Sequence, residues 1–198
     1  MGIINLIQGS PEWLEYRLSK IMATDISVIN LSNPFNTEQD LWEQKQIIRS
    51  GPTMNAAMQR GHDLEPVARG LACKEFGINF EPVVYESDDH PWAAASLDGY
   101  CQDNNIILEI KCPKEKTHLQ TFDQIIPMYY QDQMQWQLMV TQAKRCYYFS
   151  YRPECQNRPI SIIEVIPDIE KQEILISKGW EFHQSLAIFS YPKNKYLY

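Results

Sequence analysis

The chain has 198 residues, of which 44% are hydrophobic and 22% charged, and its formal net charge is −7. This composition excludes disordered and fibrous proteins, and the length is enough for one domain with a sizeable core. The sequence has no apolar run long enough to span a membrane and no basic stretch that would mark a secretory signal. We therefore expect a single domain over residues 1–198, a cytoplasmic location and no membrane partner.

Charge and cysteine usage narrow the class further. The negative net charge is unlike that of general nucleic-acid binders, which are usually basic. It does not exclude an enzyme that acts on phosphates, because metal ions and a few local cations can neutralise one groove. The five cysteines show no Cys-x-x-Cys spacing, so neither a structural zinc site nor a disulfide framework is expected.

The first part of the chain is predicted to be helical. Ser10 and Pro11 are typical of a helix start, and this helix is expected to reach about Leu18. Thr37 is a second capping residue, and Gly77 is a typical helix end. Further helices are predicted over residues 23–30, 37–48 and 54–76, with a break at 50–53.

From residue 79 onward the pattern changes to strands that alternate with helices. Strands are predicted at 80–85, 92–101, 106–112, 146–151 and 160–166. Helices are predicted at 117–122, 128–140 and 167–189. This order, helices followed by β-β-β-α-α-β-β-α, indicates an α/β fold in which helices flank a mixed sheet.

The most informative motif combines Asp98, Glu109 and Lys111. Residues 102–105 form a turn between two strand-like stretches, which predicts a β-hairpin. Residues two apart in a strand share a face, so Glu109 and Lys111 point the same way, and Asp98 can approach from the partner strand. Two carboxylates beside one lysine suit a divalent metal and a water nucleophile that cleave a phosphodiester. The alternative is an exposed hairpin with ordinary surface charges.

Two further groups lie upstream of the hairpin. Glu65, on the long helix, is either a third carboxylate for Mg²⁺ or part of a solvated helix face. Arg17 and Thr24 offer a guanidinium and a hydroxyl that together could bind a phosphate. Alternatively, Arg17 lies on the surface of an amphipathic helix whose Trp13 belongs to the core.

A polar helix face lies downstream of the hairpin. Tyr130, Gln133 and Gln137 share one face at helical spacing. Glutamines without partners are costly in a core, so this face is expected to meet either solvent or a polar site. Without further information, solvent is the favoured expectation.

These groups, in this order, resemble the YqaJ-like recombinase nucleases of the phage lambda exonuclease family, members of the PD-(D/E)xK superfamily. The resemblance implies a restriction-endonuclease-like fold. It covers roughly residues 8–152 and leaves the C-terminal strand and helix at 158–190 outside. Its pieces are Trp13-x3-Arg17, Gly61-x3-Glu65, Ser96-Leu97-Asp98-Gly99, Leu108-Glu109-Ile110-Lys111-Cys112-Pro113 and Tyr130-x2-Gln133-x-Gln135.

The resemblance implies a 5′-to-3′ exonuclease that digests one strand of linear duplex DNA from 5′-phosphorylated ends. The 3′ overhangs so formed would serve recombination by strand annealing. By similarity, Asp98, Glu109 and the backbone carbonyl of Ile110 would hold Mg²⁺, which Mn²⁺ could replace, and Glu65 would lie near a second metal. Lys111 would position or activate the attacking water.

The resemblance also implies a pocket for the terminal phosphate and an assembly. Family members of the lambda type form ring-shaped homotrimers, work beside a single-strand annealing protein, and are encoded by phages or prophages in bacterial cells. Two departures are visible: Leu97 replaces the proline of the motif, and Thr24 stands where a serine is usual. The residues that match the pocket are Arg17, Thr24, Ser96 and Gln133, with Tyr130 lining it and Met58 in the place of a strand-separating wedge.

Two other functions stay open at this level. The chain could be another PD-(D/E)xK nuclease, such as an endonuclease or a RecB-like nuclease, in which case closed circular DNA would be cut. It could also be a non-catalytic module that binds DNA ends, in which case duplex binding would occur without cleavage. The three charged residues of the hairpin argue against the second alternative, because a binding module has no need of them.

Overall fold

The structure, a computed structural model, describes residues 2–46 and 55–187. The strands found there are β1 (Gly2–Ile4), β2 (Ile21–Met22), β3 (Glu81–Glu86), β4 (Ala93–Cys101), β5 (Ile106–Lys111), β6 (Arg145–Tyr151) and β7 (Ile160–Val165). The helices are α1 (Pro11–Leu18), α2 (Ala23–Ile29), α3 (Glu38–Lys45), α4 (Ala56–Phe76), α5 (Glu115–Gln120), α6 (Met128–Thr141) and α7 (Ile169–Ser185).

The helix ends follow the capping residues of the sequence. The hydroxyl of Ser10 accepts a hydrogen bond from the backbone N–H of Trp13 at the start of α1. Thr37 and Asp40 form a reciprocal capping box at the start of α3. Gly77 ends α4 with a left-handed φ of 67°, a conformation that glycine adopts without steric cost. These three local predictions are therefore confirmed.

The strands form one mixed sheet in the order β1-β3-β4-β5-β6-β7, and β2 pairs with β4 beside this path. Neighbours along the path are antiparallel except β5 and β6, which are parallel and are connected through α5 and α6. A parallel pair requires a crossover of this kind because its strands cannot be joined by a tight turn. The predicted α/β architecture is thus confirmed.

Both faces of the sheet are covered. Helices α2, α6 and α7 pack on one face, where the large side chains of Trp136 and Tyr148 are fully buried. Helix α4 packs on the other face through Ala68 and Ala72, against Phe149 and its neighbours. Because both faces are covered, the central strands β4 and β5 place polar groups in a largely dry interior.

Several boundaries differ from the sequence predictions. Strands β1 and β2 were not expected, because segments of two or three residues carry no alternation and depend on pairing with β3 and β4. Helix α5 begins at residue 115 instead of 117 and is followed by a 3-10 turn at Thr121–Asp123. Helix α3 ends at residue 45 and α7 at residue 185, before the predicted ends. The predicted break at 50–53 and the predicted helix start at 54 lie outside the described residues.

A β-bulge interrupts β4 where the hairpin motif begins. Strands β3 and β4 pair on both sides of Pro82, but two residues of β4, Asp98 and Gly99, lie opposite it. Proline has no N–H to donate to a ladder, so this is a position where an irregularity costs little. A Cβ atom added to Gly99 would lie 2.8 Å from the Cβ of Phe80 and 3.1 Å from that of Leu108, so glycine permits this close approach. The bulge therefore sets the direction of the Asp98 side chain.

Two further observations concern the whole described chain. Its helices include none that is both long enough and apolar enough to cross a membrane. The five cysteines are all free thiols.

Candidate active site

The hairpin brings Asp98, Glu109 and Lys111 together. Strands β4 and β5 pair at residues 99–101 with 106–108 and separate beyond that point. The Asp98 carboxylate lies in the gap, where its Oδ2 accepts a hydrogen bond of 2.8 Å from the backbone N–H of Ile110. Glu109 and Lys111 point to the same side of β5 and form an ion pair. The predicted convergence of the three charged residues is confirmed.

Glu109 is completely buried, and two glutamines of α6 hold its carboxylate. Gln133 donates from its Nε2 to Oε1 of Glu109 over 2.7 Å, and Gln137 donates to Oε2 over 2.6 Å. The expectation that this helix face meets solvent is therefore wrong. The glutamines lie inside because a buried carboxylate needs several donors, and side-chain amides supply them without adding charge.

Tyrosines lie beside the ion pair. The ammonium nitrogen of Lys111 is 4.9 Å from the ring centroid of Tyr130, a cation–π distance. The ring of Tyr129 lies 4.2 Å from that of Tyr130, centroid to centroid. Burial and the neighbouring Tyr130 raise the pKa of Tyr129 to about 12. Lys111 is thus held between a carboxylate and an aromatic face.

The electrostatics show an excess of negative charge in this gap. Burial and the nearby Glu109 raise the pKa of Asp98 well above its ordinary value, against the opposing effect of Lys111. Burial alone would lower the pKa of Lys111, but Glu109 and Asp98 outweigh it and raise that pKa. The two carboxylates therefore repel each other, and one lysine does not compensate both of them.

Arg69 is a site residue that the sequence analysis missed. Its Nε donates to the backbone oxygen of Asp98 over 2.5 Å, and its Nη2 forms an ion pair with Glu65 one helical turn earlier on α4. Glu65 is consequently partly buried and paired with a cation of its own helix, and its role as a metal ligand stays a prediction. The i, i+4 spacing of Glu65 and Arg69 was a signal that could have revealed the pair.

The donor atoms in the gap suit a hard divalent cation. In strands, the N–H and C=O of one residue point to the same side, so the Ile110 carbonyl faces the gap, as its N–H does. Asp98, Glu109 and this carbonyl are oxygen donors of the kind that Mg²⁺ prefers. Over the described residues, no three acidic, histidine or cysteine side chains converge closely enough to hold a metal ion. Glu65 is paired with Arg69 on its own helix. The residues present therefore fit one cation between Asp98 and Glu109.

A second cluster gathers the residues assigned to the terminal phosphate. Trp13 donates from its indole Nε1 to the Ser96 hydroxyl over 2.9 Å. The guanidinium of Arg17 lies 4.5 Å from the Trp13 ring centroid and donates to the Thr24 hydroxyl over 3.0 Å. Trp13 is therefore at the centre of this cluster. It is only partly buried, so the alternative that places Trp13 in the core is wrong. Gln133, assigned to the same pocket, contacts Glu109 instead.

The two clusters adjoin each other through β4. Ser96 and Asp98 are two residues apart on this strand, so the hydroxyl of the second cluster lies on the same side of β4 as the carboxylate of the first. Met58 lies in the first turn of α4 and is 42% exposed. Its role as a wedge stays a prediction.

Lys45 holds the backbone next to the second cluster, and the sequence analysis missed this residue. Its buried ammonium donates to the backbone oxygens of Arg17 and Lys20 over 2.6 and 2.7 Å and lies 2.6 Å from the carboxylate of Asp25. Burial lowers the pKa of Lys45, although the pairing with Asp25 opposes this. Lys45 thereby fixes the end of α1 relative to the start of α2, and so fixes Arg17 relative to Thr24.

The fold and the site together define the class of protein. A mixed sheet flanked by helices, with Asp98, Glu109 and Lys111 on a central hairpin, is the arrangement of PD-(D/E)xK nucleases. The sequence matches the YqaJ-like viral recombinase domain over residues 12–144. The chain therefore belongs to the YqaJ-like viral recombinase domain family.

Solved structures of similar fold include exonucleases. The alkaline exonuclease LHK-Exo from Laribacter hongkongensis is 26% identical, with a TM-score of 0.78, and the match covers 90% of this chain and 93% of that one. Its complex with dAMP is similar at 25% identity and a TM-score of 0.79, with the same coverage. A phage-related exonuclease from Haemophilus somnus 129PT shares the fold at 14% identity and a TM-score of 0.65, over 85% of this chain and 95% of that one. A search of curated protein sequences gave no significant match.

Proposed function

We propose that the chain is a Mg²⁺-dependent exonuclease that digests one strand of linear duplex DNA in the 5′-to-3′ direction. The observation that carries the proposal is the gap between β4 and β5. There the carboxylates of Asp98 and Glu109 lie near each other, and Lys111 is the cation beside them. The family and the similarity to alkaline exonucleases support nuclease chemistry. The direction of digestion and the metal rest on the site residues.

The acidic residues supply the metal ligands. Asp98, Glu109 and the carbonyl of Ile110 would hold Mg²⁺ or Mn²⁺, while the hydrogen bond from the Ile110 N–H keeps one oxygen of Asp98 fixed. A bound divalent cation stabilises charge on the phosphate and lowers the pKa of a coordinated water. Glu65 would reach a second metal only if its ion pair with Arg69 were open. The protein therefore offers two carboxylates for one cation and a third that is paired with Arg69.

Lys111 is the cation that stays in place. Its ammonium is held by Glu109 and by the face of Tyr130, and it keeps donor hydrogens for an attacking water and a phosphate oxygen. A positioned cation of this kind stabilises negative charge as it develops on the phosphate. The buried glutamines keep the Glu109 carboxylate from rotating, and Glu109 in turn holds Lys111 in place.

The second cluster recognises the strand end. Arg17, Thr24 and Ser96 offer a guanidinium and two hydroxyl groups, which are donors for a terminal 5′ phosphate. Because Ser96 is two residues from Asp98, a phosphate bound there places the first phosphodiester beside the carboxylates. The enzyme therefore digests the strand from its 5′ end. We further propose that copies of the chain assemble as a ring-shaped trimer around duplex DNA and act with a single-strand annealing protein.

The decisive experiment compares three substrates in Mg²⁺: linear duplex with 5′ phosphate, linear duplex with 5′ hydroxyl, and closed circular duplex. We expect rapid digestion of the phosphorylated duplex, slower digestion of the hydroxyl duplex and none of the circle. Cutting of the circle would favour an endonuclease, and duplex binding without any cleavage in Mg²⁺ or Mn²⁺ would favour a binding module.

Variants sharpen the assignment. Asp98→Asn and Lys111→Ala are expected to reduce kcat at least 100-fold while the protein stays folded. Lys116→Ala, which removes an exposed lysine of α5, is the matched control and should digest at the wild-type rate. Arg17→Gln should slow digestion of phosphorylated ends more than hydroxyl ends. If Arg17→Gln slowed the digestion of both kinds of end equally, the second cluster would not bind the terminal phosphate.

A further inference from the structure

A row of three aromatic rings leads from Lys111 to the surface. Tyr130 lies under the Lys111 ammonium, Tyr129 lies 4.2 Å from Tyr130, and Phe35 meets Tyr129 edge-on at 5.8 Å between ring centroids. Phe35 belongs to the segment between α2 and α3, and it is 80% exposed. An aromatic side chain is thus presented to solvent in continuity with the candidate active site.

The segment that carries Phe35 is anchored to α6 by a buried carboxylate. Asp132, which has no exposed surface, accepts hydrogen bonds of 2.8 Å from the side chain of Asn30 and 2.5 Å from that of Ser32. Its other oxygen lies 2.6 Å from the ammonium of Lys171 on α7. A buried charge held by three partners in this way is costly to displace, so the segment has a fixed position on α6.

The turn itself directs Phe35 outward. The side-chain oxygen of Asn33 accepts from the backbone N–H groups of Phe35 and Asn36 over 2.9 and 3.2 Å, and its amide nitrogen donates to the Ser27 hydroxyl over 3.0 Å. These bonds fix the backbone on both sides of Phe35. The exposure of the ring is therefore imposed by polar contacts that hold the segment, although burial of the ring would be favourable.

We propose that Phe35 and Tyr129 form a stacking platform for an unpaired nucleobase of the strand being digested. The inference rests on the proposed function, because the base is placed by a phosphodiester held at Lys111. Aromatic rings beside a cation are the usual means of holding single-stranded nucleic acid, since every base has a face that can stack and every nucleotide has a phosphate. The continuity of the ring row with Lys111 favours a nucleobase over a protein partner. The platform would keep the terminal base apart from its complement.

The test uses 5′-phosphorylated duplexes in which one of the first few nucleotides of the digested strand lacks its base. When the missing base is the one that would stack on the platform, the wild type should digest the complete substrate about 10-fold faster than the abasic substrate. Stacking on an aromatic ring is worth roughly this factor. In Phe35→Ala and Tyr129→Leu this difference should shrink to about 2-fold or less, whereas Phe35→Trp should retain it. Ile174→Ala, which truncates an exposed side chain of α7 (54% exposed), is the control and should behave as wild type.

A second readout needs no cleavage. An oligonucleotide carrying the fluorescent base 2-aminopurine is titrated with protein in a chelator, and stacking on Phe35 should quench it in the wild type and Phe35→Trp but not in Phe35→Ala. If the wild type digests DNA yet Phe35→Ala keeps both the abasic penalty and the quenching, the platform is refuted. Quenching that depends on Phe35 in a protein that digests nothing would refute the nuclease proposal and leave the platform. If Phe35→Ala changed the oligomeric state on ultracentrifugation and kept the abasic penalty, Phe35 and Tyr129 would belong to an interface between copies of the chain. That result would overturn the inference.

Discussion

Gln137 donates a hydrogen bond of 2.6 Å from its side-chain amide to Oε2 of Glu109, and both side chains are completely buried. Removing this donor leaves a buried carboxylate oxygen without its partner. Gln137→Leu is therefore expected to lower the free energy of unfolding by about 1–3 kcal/mol. It should also weaken Mg²⁺ binding, because Glu109 loses its fixed orientation. Urea unfolding and calorimetric titration of Mg²⁺ measure the two effects.

The control for this variant is Gln39→Leu. Gln39 donates to Glu43 one turn later on an exposed face of α3. Its loss should cost no more than about 0.5 kcal/mol and leave Mg²⁺ affinity unchanged. If Gln137→Leu were as mild as this control in both measurements, the amide would have no part in holding Glu109.

Arg69→Met should reduce catalysis more than it reduces the stability of the fold. The variant frees Glu65 and removes the donor to the Asp98 backbone oxygen, two contacts that fix the position of the bulge. We expect a loss of about 1 kcal/mol in stability and a larger proportional loss in kcat, with a changed dependence of rate on Mg²⁺ concentration. Arg145→Met, which breaks an exposed pair with Glu164, is the matched control and should change neither property. Unaltered Mg²⁺ dependence in Arg69→Met would show that Arg69 is merely structural.

Lys45→Met should affect end recognition from a distance. The variant leaves Asp25 buried without its cation, which is expected to cost about 3 kcal/mol. It also releases the backbone of Arg17, so the preference for phosphorylated over hydroxyl ends should fall at a temperature where the protein is still folded. Lys74→Met, at an exposed position of α4, is the control. A stability loss with the end preference intact would confine Lys45 to folding.

His183 should make stability depend on pH in the mildly acidic range. The half-buried ring stacks on Trp92, and burial lowers its pKa below the ordinary value of 6.5, an effect that the cations Lys20 and Lys45 increase. The unfolded chain therefore binds a proton that the folded chain resists, so stability present above pH 6.5 is lost as the pH falls below it. Between about pH 7.5 and 5.5 the wild type should lose more stability than His183→Phe in urea unfolding. Parallel losses in the two proteins would contradict the role of this ring.

The hairpin and the long helices could be predicted because their signals are local. The alternation around Glu109, the capping residues Ser10 and Thr37 and the turn between the hairpin strands all act within a few residues. The convergence of Asp98 with Glu109 and Lys111 then followed from strand geometry. The bulge opposite Pro82 could not be predicted, because it depends on the register between two strands.

The supporting residues were harder to find for a physical reason. The roles of Gln137 and Lys45 depend on the carboxylates that they contact, and these carboxylates lie on other elements. The same glutamine face is compatible with solvent or with a buried charge, and sequence spacing does not distinguish the two. Arg69 is the exception, since its partner Glu65 is one helical turn away. Local pairs are therefore readable from the chain, whereas contacts across the core require the fold.

The hydrogen bond from the Ile110 amide to Asp98 has a spectroscopic consequence. An amide that donates to a carboxylate changes its proton resonance and its exchange with solvent whenever the charge on that carboxylate changes. The Ile110 signal should therefore shift as Mg²⁺ is added and stay unmoved in Asp98→Asn. One backbone proton in the middle of the sheet would thus register cation binding in the absence of DNA and without any turnover.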